Sequence, residues 1–347
     1  MRFDQAVARA AALATHLTDP RFAVIPSTPD VIPGVAVQAE GFWSFFPVTE
    51  GLPIVGFVAD VKEVAGEFRK LKTKSCEVQY VGNTPMQLKV GSSLVNMAPL
   101  VDPTVYWPYA NRPFDFQTST LTVKNLKDII GVSERAAVKD QLRPGLGCVR
   151  FFSGLVEAGD EAQFVRCRSG LAPEVEGLVP ARSFQKMKVI QSSQPSAGFR
   201  PEWFLIQSHG EYRLIRTVET WYPPLGAFFE STPEPWRELV VPTKAFQEAM
   251  KAFKQKAQRR FLRLWTEGAF LNVSSLTAPD IEAHLEVTHP SSTPLDFLVH
   301  GERLSTSTKT WTSSTITLRW QPAQAHSPLR LLDEDMHEFI FPLLEAS

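Results

Sequence analysis

The chain has 347 residues, 44% hydrophobic and 21% charged, with a formal net charge of -1. This is ordinary globular composition, long enough for two or three domains, and its near-neutral balance excludes a global basic field that would draw nucleic acid to the whole surface. Three cysteines, Cys76, Cys148 and Cys167, show neither metal-type spacing nor an even disulfide framework and read as reduced thiols of a cytoplasmic protein, and no apolar run is long enough to span a membrane.

Residues 1–112 read as a first domain. Ala6, Val7, Ala10, Leu13 and Ala14 form one apolar helical stripe, with Arg2 and Arg9 off it. The start MRFDQAVARAAALATHL carries Asp4 and two arginines and is an amphipathic helix rather than a secretory signal. Val35–Ala39 and Trp43–Phe46 flank Glu40-Gly41, a hairpin signal. A strand, Gly56–Asp60, then leads into VKEVAGEFRKLKTKS and a hairpin, Cys76–Val81 and Met86–Val90, around Gly82-Asn83. Prolines 103, 108 and 113 mark VDPTVYWPYANRP as a linker.

Residues 113–224 repeat the plan. Val123, Leu126, Ile129 and Ile130 make a helix stripe, with Lys124 and Lys127 on the open side. Strands follow at Cys148–Phe152 and Ala162–Cys167. Gly177–Pro180 leads into ARSFQKMKVIQ, and then into strands Trp203–Ile206 and Tyr212–Ile215 around His209-Gly210.

Residues 225–347 contain the clearest unit. Leu239-Val240-Val241 is a short apolar strand, and Pro242 suits the start of a helix. Phe246, Ala249, Met250 and Phe253 recur at i, i+3, i+4, i+7 on one face, with Lys244, Gln247, Lys251, Lys254 and Gln258 on the other. Two strands then flank a turn at Thr266–Gly268. A weaker copy begins at Leu295–Val299 and ends in Thr315–Trp320. Starts at Gly56, Gly177 and Leu295 are spaced by about 120 residues, which suits a repeated domain rather than a solenoid module. The fold class is α+β, in three tandem domains with two helices each on antiparallel sheets. The final run Phe339-Ile340-Phe341-Pro342-Leu343-Leu344 is too apolar for a frayed tail and is expected to fill a groove or form a site.

No G-x-x-x-x-G-K-[ST] or G-x-S-x-G motif occurs. His284 and His289 flank Glu286 without a metal-type partner set. Asp333-Glu334-Asp335 reads as a turn before the last strand, and Glu63/Glu67 and Asp280/Glu282 as surface carboxylates. No catalytic residue, metal site or cofactor is expected, and the chain does not read as an enzyme.

Three such domains in order resemble the bacterial replicative sliding clamp family, the β subunit of DNA polymerase III. Asp140, Arg143 and Leu146 in SERAAVKDQLRPGLGCVRFF resemble that family's Asp…Arg…Leu-x-Gly segment, with Gly147 following without the spacer. Tyr222-Pro223 resembles its aromatic-Pro boundary, and Phe341-Pro342-Leu343 stand in the places of its terminal Met-Pro-Met. The chain departs from the pattern at Arg166–Leu171, where only the Leu of Thr-Asp-Gly-x-Arg-Leu is kept, and at Leu225–Phe228, where basic residues are usual.

The resemblance implies a ring of six domains from two head-to-tail protomers around duplex DNA, contacted without regard to sequence. Expected DNA-facing residues are Arg9, Lys62, Arg69, Lys124, Lys127, Lys186, Lys188, Lys244, Lys251, Lys254 and Arg259, although a lysine face can equally be a merely solvated one. It also implies a pocket for linear motifs of DNA polymerase and clamp loader, at Arg143, Leu146, Arg166, Leu171, Pro223, Phe228, Phe339, Phe341, Pro342 and Leu343. The expected protein is a homodimer, cytoplasmic and nucleoid-associated. The alternative is a clamp-fold adaptor or inhibitor that has lost the closed ring.

Overall fold

The computed structural model describes residues 1–15, 17–27, 32–51, 55–70, 76–81, 84–110, 116, 118–137, 142–160, 162–185, 195–200, 202–208, 210–225, 236–253, 260–288, 293–309, 311, 313–321, 328–333 and 336–340. Their elements follow one short pattern, a helix followed by a three-stranded meander, six times over. The first repeat is α1 (Phe3–Ala14), β1 (Arg21–Ile25), β2 (Gly34–Ala39) and β3 (Phe42–Pro47). In the later repeats a lead strand precedes the helix. The second is β4 (Phe57–Ala59), α2 (Val61–Lys70), β5 (Cys76–Val81), β6 (Thr84–Val90) and β7 (Ser93–Pro99). The third is β8 (Ser119–Thr120), α3 (Val123–Ser133), β9 (Cys148–Phe152), β10 (Leu155–Gly159) and β11 (Gln163–Arg168). The fourth is β12 (Gly177–Pro180), α4 (Ala181–Gln185), β13 (Ser196–Arg200), β14 (Trp203–Ser208) and β15 (Glu211–Arg216). The fifth is β16 (Arg237–Pro242), α5 (Thr243–Ala252), β17 (Leu262–Glu267), β18 (Phe270–Ser275) and β19 (Ala278–Glu286). The sixth is β20 (Asp296–Val299), α6 (Gly301–Lys309), β21 (Thr315–Trp320), β22 (Leu329–Leu332) and β23 (Met336–Ile340).

Local chemistry explains the boundaries. Asp60 caps α2, its Oδ1 accepting from the N–H groups of Lys62 (2.7 Å) and Glu63 (3.2 Å). Gly41, Gly210 and Gly268 take φ of 65°, 68° and 59° in hairpin turns, where a left-handed backbone favours glycine.

The chain forms two compact units, residues 1–123 with 185–218, and residues 124–184 with 219–347. In the first, eleven strands run in the order β5-β6-β7-β4-β1-β2-β3-β15-β14-β13-β8. Its core is α1 and α2 on one sheet face, with Val7, Ala10, Val24, Val37, Phe57 and Val64 fully buried. The alanines of α1 keep the helix close to the strands. The segment expected to be a linker is packed instead. Trp107, Tyr109 and Ala110 are buried against Ile25, Ala36, Phe45, Leu205 and Leu214, and Trp107 stacks on Phe45 at 4.8 Å. Asp102 starts that segment by accepting from the Thr104 N–H at 2.9 Å.

The second unit holds an eight-stranded sheet, β12-β9-β10-β11-β23-β22-β21-β16, and a four-stranded one, β19-β18-β17-β20. The stripe of α5 is buried as its period predicts, with Phe246, Met250 and Phe253 all enclosed and Ala249 half-buried; each of the three large side chains is worth about 1.5–3 kcal/mol. β23 is not a plain edge strand, since its backbone pairs with β11 on one side and β22 on the other.

Pairing between repeats takes two forms. Lead strands pair antiparallel with the first meander strand of a neighbouring repeat: β4 with β1, β8 with β13, β12 with β9, β16 with β21 and β20 with β17. Last meander strands pair with one another, β3 with β15 and β11 with β23. These two junctions join residues distant in sequence, Phe42–Phe45 to Tyr212–Ile215 and Gln163–Cys167 to Met336–Ile340.

One buried ion pair reinforces the second junction. Arg135, just past α3, places Nε 3.4 Å from Glu338 Oε1 on β23, both side chains fully enclosed, and its Nη1 donates to the Gly131 carbonyl at 2.7 Å. Losing one partner strands a charge in the core. Glu338→Ala is expected to lower unfolding free energy by about 3–5 kcal/mol in urea denaturation.

Candidate functional site

The helices bury one stripe and turn cations outward. Arg9 on α1, Lys62 and Arg69 on α2, Lys124 and Lys127 on α3, and Lys244 and Lys251 on α5 are all exposed. Lys186, Lys188, Lys254 and Arg259 lie outside the described residues. Within the first unit, Arg9 and Arg69 line one cleft between α1 and α2, about 580 Å³, whose walls include Ala8, Ala12, Ala65 and Phe68. The faces are not purely basic: Glu63 and Glu248 are exposed on the same helices, and Lys62 Nζ lies 3.7 Å from Asp19. Exposed cations of this kind bind phosphate through long-range, salt-screened attraction and read no bases.

The second candidate lies wholly in the second unit. One row across the eight-stranded sheet runs Arg150, Glu157, Arg166 and His337 on β9, β10, β11 and β23. The Glu157 carboxylate is fully enclosed, 3.3 Å from Arg150 Nη1 and 2.9 Å from Arg166 Nη2. Burial pushes its carboxyl above the ordinary range, against the opposing pull of Arg166 and Arg150. Both guanidiniums lie over the Phe152 ring, at 4.4 and 5.2 Å. Tyr222 closes the group, donating its hydroxyl to the Glu157 carbonyl at 3.4 Å. Burial, with the nearby Glu157 charge, pushes that phenol well above its usual value, which keeps the donor protonated.

Beside this row, a 3-10 turn, Pro144–Gly147, carries Leu146 into the interior, and the Ala137 N–H donates to the Leu146 carbonyl at 2.8 Å. Gly145 abuts the Trp221 carbonyl so closely that a Cβ has no room. Two large apolar side chains, Leu142 at 93% and Trp221 at 69%, stand exposed at this turn and at the segment it touches. Leu171 is buried beyond the end of β11, its N–H bound by Ser169 Oγ at 3.1 Å.

Of the expected pocket residues, Arg166 belongs to the Glu157 group and Pro223 follows Tyr222 in the chain, while Arg143 and Leu146 flank Gly145, which abuts the Trp221 carbonyl. Leu171 sits in a separate turn, against Gly154. The backbone of Phe339 lies in β23, opposite Phe164. Phe228, Phe341, Pro342 and Leu343, with Asp140 of the matched segment, fall outside the described residues. The sequence reading passed over Arg150, Glu157 and Trp221. A lone glutamate in the apolar run Leu155–Gly159, two residues from a turn, was the available signal. The three thiols are unbridged; burial pushes Cys76 up to about 12 and Cys148 up to about 11. Among the described residues no group of side chains is set to hold a metal ion, and no helix is long and apolar enough to cross a membrane.

No family model matches the sequence, and no curated protein matches it. Solved structures match over the full length. The DNA polymerase III beta subunit of Thermotoga maritima aligns with a TM-score of 0.73 at 14% identity, covering 99% of each chain. The DNA polymerase sliding clamp of Bacillus subtilis gives 0.75 at 14% identity, covering 99% of this chain and 98% of that one. The Helicobacter pylori beta clamp, solved bound to a DNA ligase peptide, gives 0.75 at 10% identity over 99% of both. The chain has the sliding-clamp fold.

Gly145→Ala tests the turn against Trp221. The added methyl must displace a backbone carbonyl, so the variant is expected to lose about 1–3 kcal/mol and to shift Trp221 fluorescence, whereas Gly210→Ala, with open space around it, should leave that emission unchanged.

Proposed function

We propose that the chain is a DNA sliding clamp, a processivity factor that encircles duplex DNA and tethers replication and repair proteins through short peptide motifs. The observation that carries this reading is a fold shared over 98–99% of both chains with clamps from several bacteria. The repeats support it independently. They pair into three domains of two repeats, with boundaries near residues 112 and 224. β3–β15 and β11–β23 join last meander strands edge to edge. Of the remaining last meander strands, β7 already pairs with β6 and β4, and β19, terminal in its sheet among the described residues, is the edge offered to a second copy, which closes a ring of six domains.

In that ring the exposed cations of α1, α2, α3 and α5 attract the duplex through its phosphates alone, which allows movement along it. The peptide site is the surface around Leu142, Arg143, Leu146, Trp221 and Pro223, with Arg150 and Arg166 held rigid by Glu157. The Helicobacter pylori clamp's ligase peptide supports such docking. The role is binding rather than catalysis, in the cytoplasm.

Light scattering coupled to gel filtration is expected to give a dimer; a monomer at micromolar concentration overturns the closed ring. After loading, the protein should be retained on nicked circular DNA and lost once that DNA is linearised. Equal loss from both forms points instead to an adaptor. Replacing Arg9 and Arg69 together by alanine should weaken DNA association and flatten its log–log salt dependence by roughly 2.

A further inference from the structure

The outer face of the first junction is apolar where β3, β15 and β14 meet and cationic to either side. Trp43 on β3 stands opposite Leu214 on β15, and Trp203 on β14 opposite Arg216 on β15. The two indoles meet across β15 edge to face, with ring centroids 4.9 Å apart. They pack on the core that holds Leu205 and Leu214, yet stay half-buried. Trp43 Nε1 donates to the Val105 carbonyl at 3.4 Å, which sets Val105, 43% exposed, beside the rings.

Arg21 lies in the same row as Trp43, reached through Gln38 on β2. With Tyr106 it also lines a cleft of about 410 Å³. The two carboxylates of that cleft are engaged elsewhere: Asp19 lies 3.7 Å from Lys62, and Asp60 caps α2. Arg21 and Arg216 are exposed, and neither guanidinium has a partner among the described residues. Glu40 and Glu202, in the turns before β3 and β14, are exposed and do not pair with Arg216. Tryptophan and arginine are the side chains that most often carry binding energy at interfaces.

From this geometry we infer that the outer face of the first junction docks an extended segment of a partner protein with the pattern acidic–x–apolar–x–acidic. The apolar side chain enters the trough at Trp43, Trp203 and Val105, and the two carboxylates meet Arg21 and Arg216. Three strand steps and a two-residue offset put the two arginine backbones about 16 Å apart. An extended segment covers that span in roughly four to five residues, with alternate side chains on one face. No stretch of this chain outside the described residues carries that pattern; the nearest, Glu230 to Glu234, has Thr232 between its carboxylates. Indoles packed edge to face beside an exposed valine form an apolar trough rather than free ring faces for bases, which favours peptide over single-stranded nucleic acid. The surface shares no residue with the peptide site proposed in the second unit and does not depend on ring closure.

The test is fluorescence anisotropy of a blocked, fluorescein-labelled peptide, Ser-Asp-Ser-Leu-Ser-Asp-Ser, titrated with the full chain at low salt. Micromolar binding is expected. Arg21→Ser and Arg216→Ser should each weaken it about threefold, and together about tenfold. Arg237→Ser, at an exposed position on β16, should leave it unchanged. A peptide with asparagine for both aspartates, or with serine for the leucine, should bind more weakly than the parent. The inference is overturned if the parent peptide shows no binding at millimolar protein, or if the asparagine peptide binds equally well. It is overturned if Arg150→Ser abolishes binding while Arg21→Ser and Arg216→Ser do not, which places the peptide on the second unit. An oligothymidylate that displaces the peptide at lower concentration than unlabelled peptide overturns it in favour of nucleic acid. A dimer that dissociates in Arg216→Ser overturns it in favour of a second copy.

Discussion

A strand edge is a row of unpaired backbone donors and acceptors, and the molecule is organised by how those edges are satisfied. No repeat buries its apolar helix stripe and pairs its strands alone. The lead strand goes to a neighbouring repeat, and the last meander strands β3 and β11 go to repeats far along the chain. A helix such as α5 can then bury one face, through Phe246, Met250 and Phe253. The exposed cations of Arg9, Lys62, Lys124 and Lys244 are the other side of that arrangement: positions not needed for packing are available for charge.

The two junctions use the same backbone geometry with different chemistry. At β3–β15 the strap bearing Trp107 and Tyr109 seals an apolar face, while Ser44 on β3 donates to Glu211 on β15 at 2.7 Å and Glu211 pairs with Arg213, all three buried. At β11–β23 the corresponding sheet surface carries Arg150, Glu157 and Arg166, and Tyr222 closes over them. An apolar seal is insensitive to direction. The guanidiniums around one enclosed carboxylate are fixed in place, with hydrogen-bonding edges set by Glu157. Both junctions thus enclose a carboxylate against arginine, and the second adds another guanidinium and the Tyr222 hydroxyl.

Much of the plan was legible in the residues. The stripes of α1, α3 and α5, the hairpins at Gly41 and Gly268, and the β–α–hairpin unit follow directly from period and turn chemistry. The sixfold half-repeat was not visible, because lead strands such as β8 are two residues long and α4 is five in the described chain, too short for periodicity to register. The stretch from Pro103 read as a linker because proline dominates its signal; Trp107 and Tyr109 were the contrary evidence, since large aromatics seldom sit in an exposed connection. Glu157 was missed because pairing across three strands is a property of register, which no local window contains. The apolar run at Phe339 was recognised as more than a tail, but its backbone role at the centre of a sheet needed the pairing of β11 with β23.

That pairing bears on how the molecule can be divided. Each compact unit is assembled from two stretches of chain with residues of the other unit between them, so any contiguous fragment that contains one unit whole also carries part of the other. Cutting near residue 112 separates β3 from β15, and cutting near residue 224 separates β11 from β23, baring in each case a strand whose natural cover lies more than a hundred positions away. Loop closure over such distances is slow relative to helix formation. The early chain therefore passes through a period in which adhesive edges are open, the condition under which partly folded chains associate with one another before their distant strands arrive.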